Sequence, residues 1–431
     1  MIIALIIFLA TYALMLALPK FRHVVAIAAA AVFVIAGFLP FNKVWGAIDW
    51  NVILMLAGTM CIVSLFIASN MPQRLADIIL SKTRDVRVAI VALALFAGVI
   101  SAFVDNVATL LIVAPVGLAV SKRLGISPVP VLISMSVSSN LQGAATLVGD
   151  TTSILLGGYA KMNFLDFFVY HGRAGIFFAV ELGALATVPV LFWIFRKNKQ
   201  TVPKTDIIEV HDHVPSVLLV LLVILLICAS FIPGEKPAIT NGLICCALGL
   251  FGIVREVIRK RGLSHAAKVF ADIDLVTLTL LIGLFVVIAG VSEVGLVDEI
   301  GKIFIRAAGD NVFVIFVLLV AASVVLSAFI DNIPYIATML PVVTSISATL
   351  TTANPSLSNV VPTVLFFGLL TGATLGGNIT PIGASANITA IGILRREGYE
   401  VKTGAFMKIG VPFTLVAVVV GCVYIWLVFG H

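Results

Sequence analysis

Long apolar runs recur along almost the whole chain and are separated by short polar segments. A helix needs about 20 apolar residues to cross the hydrocarbon core of a bilayer. Two shorter stretches, 72–82 and 297–307, have charges on one face and Leu or Ile on the other, which predicts helices lying in the membrane interface. The longer runs predict spanning helices near residues 2–18, 24–40, 52–69, 174–195, 216–233, 239–255, 274–292 and 408–430.

Four further apolar regions are too long for a single span, and each contains polar or Gly-rich residues in its middle. Irregular backbone at bilayer depth is tolerated only where it is buried in protein or lines a watery cavity, and such breaks mark the transport sites of many carriers. We interpret 88–120 and 312–350 as re-entrant hairpins. We interpret 129–160 and 361–394 as helices that cross the membrane but are broken.

Three short sequences of the first half recur in the same order in the second half, at offsets of 225, 226 and 234 residues. Three ordered matches predict an internal duplication. Each half then crosses the membrane five times, so the two repeats are inverted. The expected fold is an all-α polytopic membrane protein with about ten spanning helices, two re-entrant hairpins and two broken helices. The matched pairs are Ile48-Asp49-Trp50 with Ile273-Asp274-Leu275, Ser101–Asn106 with Ser327–Asn332, and Thr146–Gly149 with Thr380–Gly383.

Composition excludes several classes of protein. Of the 431 residues, 61% are apolar and only 11% are charged, more apolar surface than a soluble core could bury. Soluble enzymes and nucleic-acid-binding proteins are therefore excluded. The first segment has no charged start and no cleavage site, so we expect a retained helix. The five cysteines lie in apolar runs without CxxC spacing, which predicts small buried side chains rather than disulfides or a metal site.

The charged residues predict the orientation of the chain. With ten crossings, 21 of the 27 Lys and Arg fall on one side of the membrane and six on the other. The positive-inside rule places the richer side in the cytoplasm. We therefore expect a multi-pass protein of the cell membrane with both termini on the outside of the cell. No Lys, Arg or His is then expected within any span. The richer side holds Arg255 and the loops 19–23, 70–87, 121–128, 196–215, 256–273 and 395–408.

The ionisable residues left within the membrane are carboxylates. A carboxylate at that depth costs at least about 2.5 kcal/mol and is a candidate functional group. Asp105-Asn106 and Asp331-Asn332 fall where the two hairpins should turn. Asp and Asn also cap helices and favour turns, but their occurrence at both equivalent tips favours cation binding. Asp150 joins them as a candidate cation ligand, while Glu181 is either a proton carrier or a hydrogen-bonded structural residue.

The two broken helices are unusually rich in Asn, Thr, Ser, Gln and Gly. Small residues also let helices pack closely in lipid. A half-helix that begins after each break, however, presents free N–H groups and its positive dipole end, which make an anion site without a basic side chain. The candidate substrate ligands are Asn140, Gln142, Thr146, Gly149, Thr151, Thr152 and Ser153 in the first half, and Asn378, Thr380, Gly383, Ser385 and Asn387 in the second.

The sequences at the two breaks, 143–150 and 376–387, resemble motifs of the ion-transporter superfamily. Within it, the chain is similar to the arsenite permease and sodium/proton antiporter family that also has the citrate-transporter-like domain. Thr151-Thr152-Ser153 replaces the Pro-Pro-Asn usual in that family, and Gln142 stands where Gly is frequent. The resemblance implies elevator-like transport, commonly in a dimer. It also implies scaffold helices (1–70, 216–292), a transport domain (88–195, 312–430), interfacial arms (71–87, 293–311) and a cytoplasmic linker (196–215).

These observations favour a secondary active transporter for a small anion or anion-like solute, coupled to Na⁺ or H⁺ and using no cofactor. The alternatives are an arsenite or antimonite efflux permease, a Na⁺/H⁺ antiporter without an organic substrate, and an ion channel. A membrane enzyme would need a nucleophile or metal constellation, which the spans lack. No Walker motif is present, so ATP hydrolysis would require a separate subunit. The expected partners are the lipid bilayer, a small ionic solute and a second copy of the chain.

Overall fold

The structure is a computed structural model. It describes residues 1–83, 85–123, 125–198, 200–201, 207–210, 212–232, 237–260 and 269–431. The chain is almost entirely helical, with one two-residue antiparallel hairpin, β1 (Val169–Tyr170) and β2 (Arg173–Ala174). The helices of the first half are α1 (Ile2–Ala17), α2 (Arg22–Ile35), α3 (Phe41–Ala47), α4 (Trp50–Ala68), α5 (Met71–Lys82), α6 (Val86–Ser101), α7 (Asn106–Arg123), α8 (Pro128–Gly143), α9 (Thr151–Tyr159) and α10 (Ile176–Ile194).

Apart from α3 and the β1–β2 hairpin, which have no counterpart there, the described elements of the second half follow the order of the first. Among its described residues, the helices are α11 (Val214–Ser230), α12 (Thr240–Lys260), α13 (Leu275–Glu293), α14 (Leu296–Ala308), α15 (Val312–Ser327), α16 (Asn332–Ala353), α17 (Val361–Gly376), α18 (Ser385–Arg396) and α19 (Thr403–Phe429). Over the described ranges, seven helices are long and apolar enough to cross a membrane, or up to nine if each of two sharply bent pairs is one span. An all-α polytopic membrane protein is confirmed.

All four long apolar regions are divided into two helices. Helices α6 and α7 are separated by a tip at 102–105, and α15 and α16 by a tip at 328–331. The backbone leaves helical geometry between α8 and α9, and again between α17 and α18. We call these two tips tip 1 and tip 2, and the irregular segments 144–150 and 377–384 break 1 and break 2.

The predicted span 24–40 differs from the helix observed there. Helix α2 ends at Ile35, because Gly37 adopts a positive φ of 75°, a left-handed conformation that a helix cannot continue through. The start of α2 also lies closer to α1 than expected. The two helices are bent by 114° at the short turn Pro19–Phe21, so Arg22 is already the first residue of α2.

The two halves are interlocked by equivalent helix contacts. Gly283 of α13 lies against the backbone of Ala26 in α2, where a Cβ would approach to 2.7 Å. Gly58 of α4 lies in the same way against Cys245 in α12, where a Cβ would approach to 2.3 Å. Only glycine permits helices to approach so closely in lipid. Each half therefore contributes a helix that packs on the other half, and Ala26 corresponds to Cys245.

Polar contacts join loops at both ends of the helix bundle. At one end, Lys122 pairs with Glu397, and Val86 N donates to Gln200 O at 3.0 Å. At the other end, Lys43 Nζ lies 2.7 Å from Glu293 Oε1, and the Arg173 guanidinium donates to the carbonyl oxygens of Val428 and His431. Between these ends, helices α8 and α17 are buried along most of their length and bring the two breaks to the centre.

Candidate functional site

Each hairpin tip ends in an aspartate that caps the helix after it. Asp105 Oδ1 accepts hydrogen bonds from the backbone N–H groups of Val107 at 3.0 Å and Ala108 at 3.3 Å. Asp331 Oδ1 accepts from Ile333 N at 3.3 Å. Capping, the structural interpretation of these residues, therefore accounts for one oxygen of each carboxylate. The second oxygen of each carboxylate takes no part in the cap.

Amides from the tips and the broken helices meet at the centre of the protein. Asn106 Nδ2 donates to Asn140 Oδ1 at 2.9 Å. Asn140 Nδ2 in turn donates to Asn378 Oδ1 at 3.0 Å. The Asn332 amide lies 2.7 Å from the hydroxyl oxygen of Ser327. Because all of these side chains are buried, the network fixes the tips relative to the breaks.

Several predicted substrate ligands instead hold the breaks in place. Thr146 donates to the Ala102 carbonyl oxygen on tip 1, and Thr380 donates to the equivalent Ala328 carbonyl oxygen on tip 2. Asn387 Nδ2 donates to Thr380 O at 3.0 Å. These polar groups are saturated by protein partners, so in this conformation they brace the backbone and are not free for a solute.

The glycines of the two breaks are required by close approach. A Cβ on Gly149 would lie 2.5 Å from Gly143 O, and a Cβ on Gly383 would lie 2.6 Å from Gly377 O. Real Cβ atoms do not approach carbonyl oxygens so closely. Each break can therefore fold back against its own half-helix only with glycine at this position.

A cavity of about 420 Å³ opens beside both tips. Its size is in the range typical of small-molecule sites. The predicted residues that line it are Asp105, Asn106, Asp150, Asp331 and Asn332 among the cation candidates, and Gly149, Thr151 and Ser385 among the substrate candidates. The predicted residues outside its lining are Asn140, Gln142, Thr146, Thr152, Ser153, Asn378, Thr380, Gly383, Asn387 and Glu181.

Glu181 lies apart from the other candidates. It is half-buried on α10, whose main packing partner is α19. The structure does not bring it to either tip or to the cavity. Nothing in the pattern of an apolar helix indicates which of its faces meets the protein interior, and for this reason the sequence could not separate Glu181 from the other intramembrane carboxylates.

Two aspartates that the sequence analysis did not select also line the cavity. Asp272 Oδ2 accepts a hydrogen bond of 2.6 Å from the hydroxyl of Ser64. Asp274 caps α13 by accepting from Thr277 N at 3.0 Å. Five carboxylates thus surround the cavity, and its described lining contains no Lys or Arg. The repeat does contain a signal for Asp274, since it corresponds to Asp49 in the first pair of matched sequences.

Arg22 corrects the expectation that no basic side chain lies near the site. Its Nη1 lies 2.5 Å from Asp331 Oδ2, and its Nη2 lies 3.3 Å from Ser385 Oγ. The expected loop at 19–23 is instead a tight turn followed at once by α2, so Arg22 points into the protein. Its side chain is only 18% exposed. The contact joins the first helices of one half to tip 2 of the other.

Comparisons with known proteins cover the whole chain. The family described as "Citrate transporter" matches over residues 4–357 and 238–431. An uncharacterized transporter of Mycobacterium tuberculosis is 32% identical over 437 residues, which cover 99% of this chain and 98% of that protein. A 46 kDa membrane protein of Mycobacterium leprae is 29% identical, with coverage of 99% and 98%.

Among solved structures, the YdaH transporter of Alcanivorax borkumensis has a similar fold. Its TM-score is 0.61 at 15% sequence identity, and the match covers 90% of this chain and 88% of that one. At this level of identity the likeness concerns the fold.

Proposed function

Because the chain belongs to the citrate transporter family of membrane transporters, we propose that it moves a small anion across the membrane together with Na⁺ or H⁺. One observation carries this proposal: the cavity beside the hairpin tips is lined by five carboxylates, and among its described residues only Asp331 is paired with a basic side chain, that of Arg22. Such a cavity attracts cations. An anion can enter it favourably only when a cation neutralises part of that charge.

The repulsion between the cavity carboxylates and an anion is large enough to require that the cation binds first. Two like unit charges about 6 Å apart repel by roughly 3 kcal/mol at an effective dielectric constant of 20. Several carboxylates acting together would reduce the affinity for a free anion by orders of magnitude. A cation bound first at tip 1 supplies the compensating charge. The start of half-helix α9, which lines the cavity at Asp150 and Thr151, then offers the solute hydrogen-bond donors, with the Thr151 hydroxyl beside it.

An asymmetry between the halves supports movement of the tips and breaks against a scaffold. In the first half, Gly158 of α9 lies against Asp49 at the start of α4, where a Cβ would come within 2.6 Å of Asp49 Oδ2. The equivalent Gly392 of α18 has no neighbour within 4 Å, and Asp274, the equivalent of Asp49, faces the cavity. If Gly392 moved against Asp274 while Gly158 moved away from Asp49, the cavity would close on its present side of the membrane and open on the opposite side.

We assign the scaffold to 1–70 and 216–292, and the moving domain to 88–195 and 312–430. The arms 71–87 and 293–311 connect them, and 196–215 links the repeats. With the basic side in the cytoplasm, both termini lie outside the cell membrane and the cavity lies towards the cytoplasm, since Ala68 and Asp272 line it. In this proposal the transporter works as a dimer.

The acidic cavity also favours a second candidate, Na⁺/H⁺ antiport without an organic substrate. Uptake by proteoliposomes separates the two. Labelled citrate, succinate, phosphate, sulfate and arsenite are each offered under an imposed Na⁺ gradient or pH gradient. Uptake of one anion that requires a gradient supports the first candidate. Proton movement driven by Na⁺ alone, with no anion transported, supports the second, and gradient-independent uptake of neutral arsenous acid would reject both.

A further inference from the structure

The two hairpin tips are equivalent in sequence but not in charge. Tip 1 brings Asp105 into the cavity together with Asp150, at the start of half-helix α9. At tip 2, the position that corresponds to Asp150 is Ala384, so Asp331 is the one carboxylate that tip 2 and break 2 contribute. Arg22 lies beside it. Asp274, just before α13, also interacts electrostatically with Arg22. Tip 1 therefore has two negative charges, whereas tip 2 has one negative and one positive charge.

The contacts of Arg22 are those of a partly buried ion pair. Its Nη1 lies 2.5 Å from Asp331 Oδ2, and the same oxygen accepts a hydrogen bond of 2.7 Å from Ser385 Oγ. The two charged side chains are only 18% and 11% exposed. Arg22 is absent from the described lining of the cavity, whereas both of its partners, Asp331 and Ser385, line it. A guanidinium keeps its charge under all ordinary conditions.

Tip 1 has no such partner. The interlocked glycine contacts make Ala26 equivalent to Cys245, and the same offset makes Arg22 equivalent to Asn241, which is uncharged. Among the described residues, the hydrogen bonds to Asp105 come from two backbone N–H groups. Neither Asp105 nor Asp150 has a basic side chain in an ion pair with it in the described structure. The negative charge of tip 1 is left for an ion from solution.

We infer that Arg22 is a tethered cation that fills the second of two equivalent coupling sites, so that a single mobile cation binds at Asp105 and Asp150. The inference rests on the proposed cation-coupled function and specifies its stoichiometry. A second mobile cation at Asp331 would stand beside a full positive charge at ion-pair distance. At tip 1, the same cation meets two uncompensated carboxylates.

Cation-induced stabilisation of the purified protein tests the inference without knowledge of the substrate. The melting temperature in detergent is measured as NaCl replaces choline chloride, and separately as the pH is lowered. Because one bound cation stabilises by RT ln(1 + [cation]/Kd), the stabilisation of the wild type should rise against ln[cation] with a limiting slope of about one cation per protein. Asp105→Asn should lose the stabilisation. The double variant Arg22→Gln with Asp331→Asn should keep it with the wild-type midpoint, because both charges of the pair are removed together.

Single variants at Arg22 separate charge from shape. Arg22→Gln leaves Asp331 uncompensated, so a second cation should bind and the limiting slope against ln[cation] should rise towards about two. Arg22→Lys keeps the charge and should retain the wild-type curve. Lys43→Gln is the matched control, because it breaks an ion pair whose side chains are 53% and 40% exposed and which lies outside the cavity lining. It should leave the curve unchanged.

Two results would overturn the inference. If Asp331→Asn abolishes the cation response as completely as Asp105→Asn does, or if the double variant loses the response, then Asp331 binds the mobile ion. A wild-type protein that is stabilised by neither Na⁺ nor H⁺ would instead reject the cation coupling of the proposed function, and this inference with it. The wild-type curve therefore distinguishes failure of the inference about Arg22 from failure of the proposed cation coupling.

Discussion

Ser385 donates a hydrogen bond of 2.7 Å to Asp331, which ties the first turn of half-helix α18 to tip 2. The equivalent residues of the first half, Thr151 and Asp105, share no hydrogen bond in the described structure, although both line the cavity. The two half-helices therefore differ in their contacts. The second is held by a hydrogen bond to the ion-paired Asp331, and the first presents the Thr151 hydroxyl, which has no protein partner in the described structure.

Thr151→Ala should raise the apparent substrate constant about fivefold, because it removes a hydrogen bond worth roughly 1 kcal/mol. The affinity for the cation should change little. Thr152→Ala is the matched control. The Thr152 hydroxyl donates to Asp150 Oδ2 at 3.0 Å, so its loss should change the cation constant instead. Transport measured over ranges of both ions checks the pair of variants. If both substitutions change the substrate constant and the cation constant in the same way, the Thr151 hydroxyl does not bind the solute as proposed.

Asp105→Asn should abolish the dependence of transport on the coupling cation, because the amide keeps the shape of the cap but removes the charge that compensates a dehydrated ion. Asp150→Asn should act in the same direction. Glu181→Gln should leave the cation dependence of transport unchanged, because Glu181 lies away from the cavity. Uptake over a range of Na⁺ and pH is the measurement. An unchanged cation response in Asp105→Asn would show that the aspartate is only a cap.

Gly392→Leu should leave folding intact but stop transport. Nothing lies within 4 Å of a Cβ at Gly392 in this conformation, so the protein should melt at the wild-type temperature. In the exchanged arrangement Gly392 would lie against Asp274, as Gly158 now lies against Asp49, and a leucine would block that approach. Gly404→Leu, also at an open position, is the control. If Gly392→Leu transports at the wild-type rate, Gly392 does not approach Asp274 during transport and the proposed movement is contradicted.

A cysteine at Gln200 tests the orientation. The 196–215 region contains Arg196, Lys197, Lys199 and Lys204, of which Lys199 and Lys204 lie outside the described residues. In a chain otherwise free of cysteine, Gln200→Cys should resist an impermeant maleimide added outside intact cells. Asp310→Cys, on the opposite side, should react. Reversed labelling would overturn the positive-inside assignment.

The polar pattern located the tips and the breaks because their cause is local. Backbone that leaves a helix inside a membrane needs Gly for close approach and Asp, Asn or Thr for hydrogen bonds, and these residues stand at the breaks themselves. The contacts of Arg22 and Asp272 could not be predicted in this way. They depend on how α2 and α13 pack across the two halves, which no single segment encodes. Glu181 was selected for its depth alone, without knowledge of the face it occupies.

The most direct test of the account is the affinity of the purified protein for the transported anion, measured at increasing Na⁺ or H⁺ concentration. The cation at tip 1 is the charge that offsets the carboxylates of the cavity, so anion affinity should rise steeply with cation concentration and should no longer do so in Asp105→Asn. Anion binding that is equally tight with and without either cation would contradict the account.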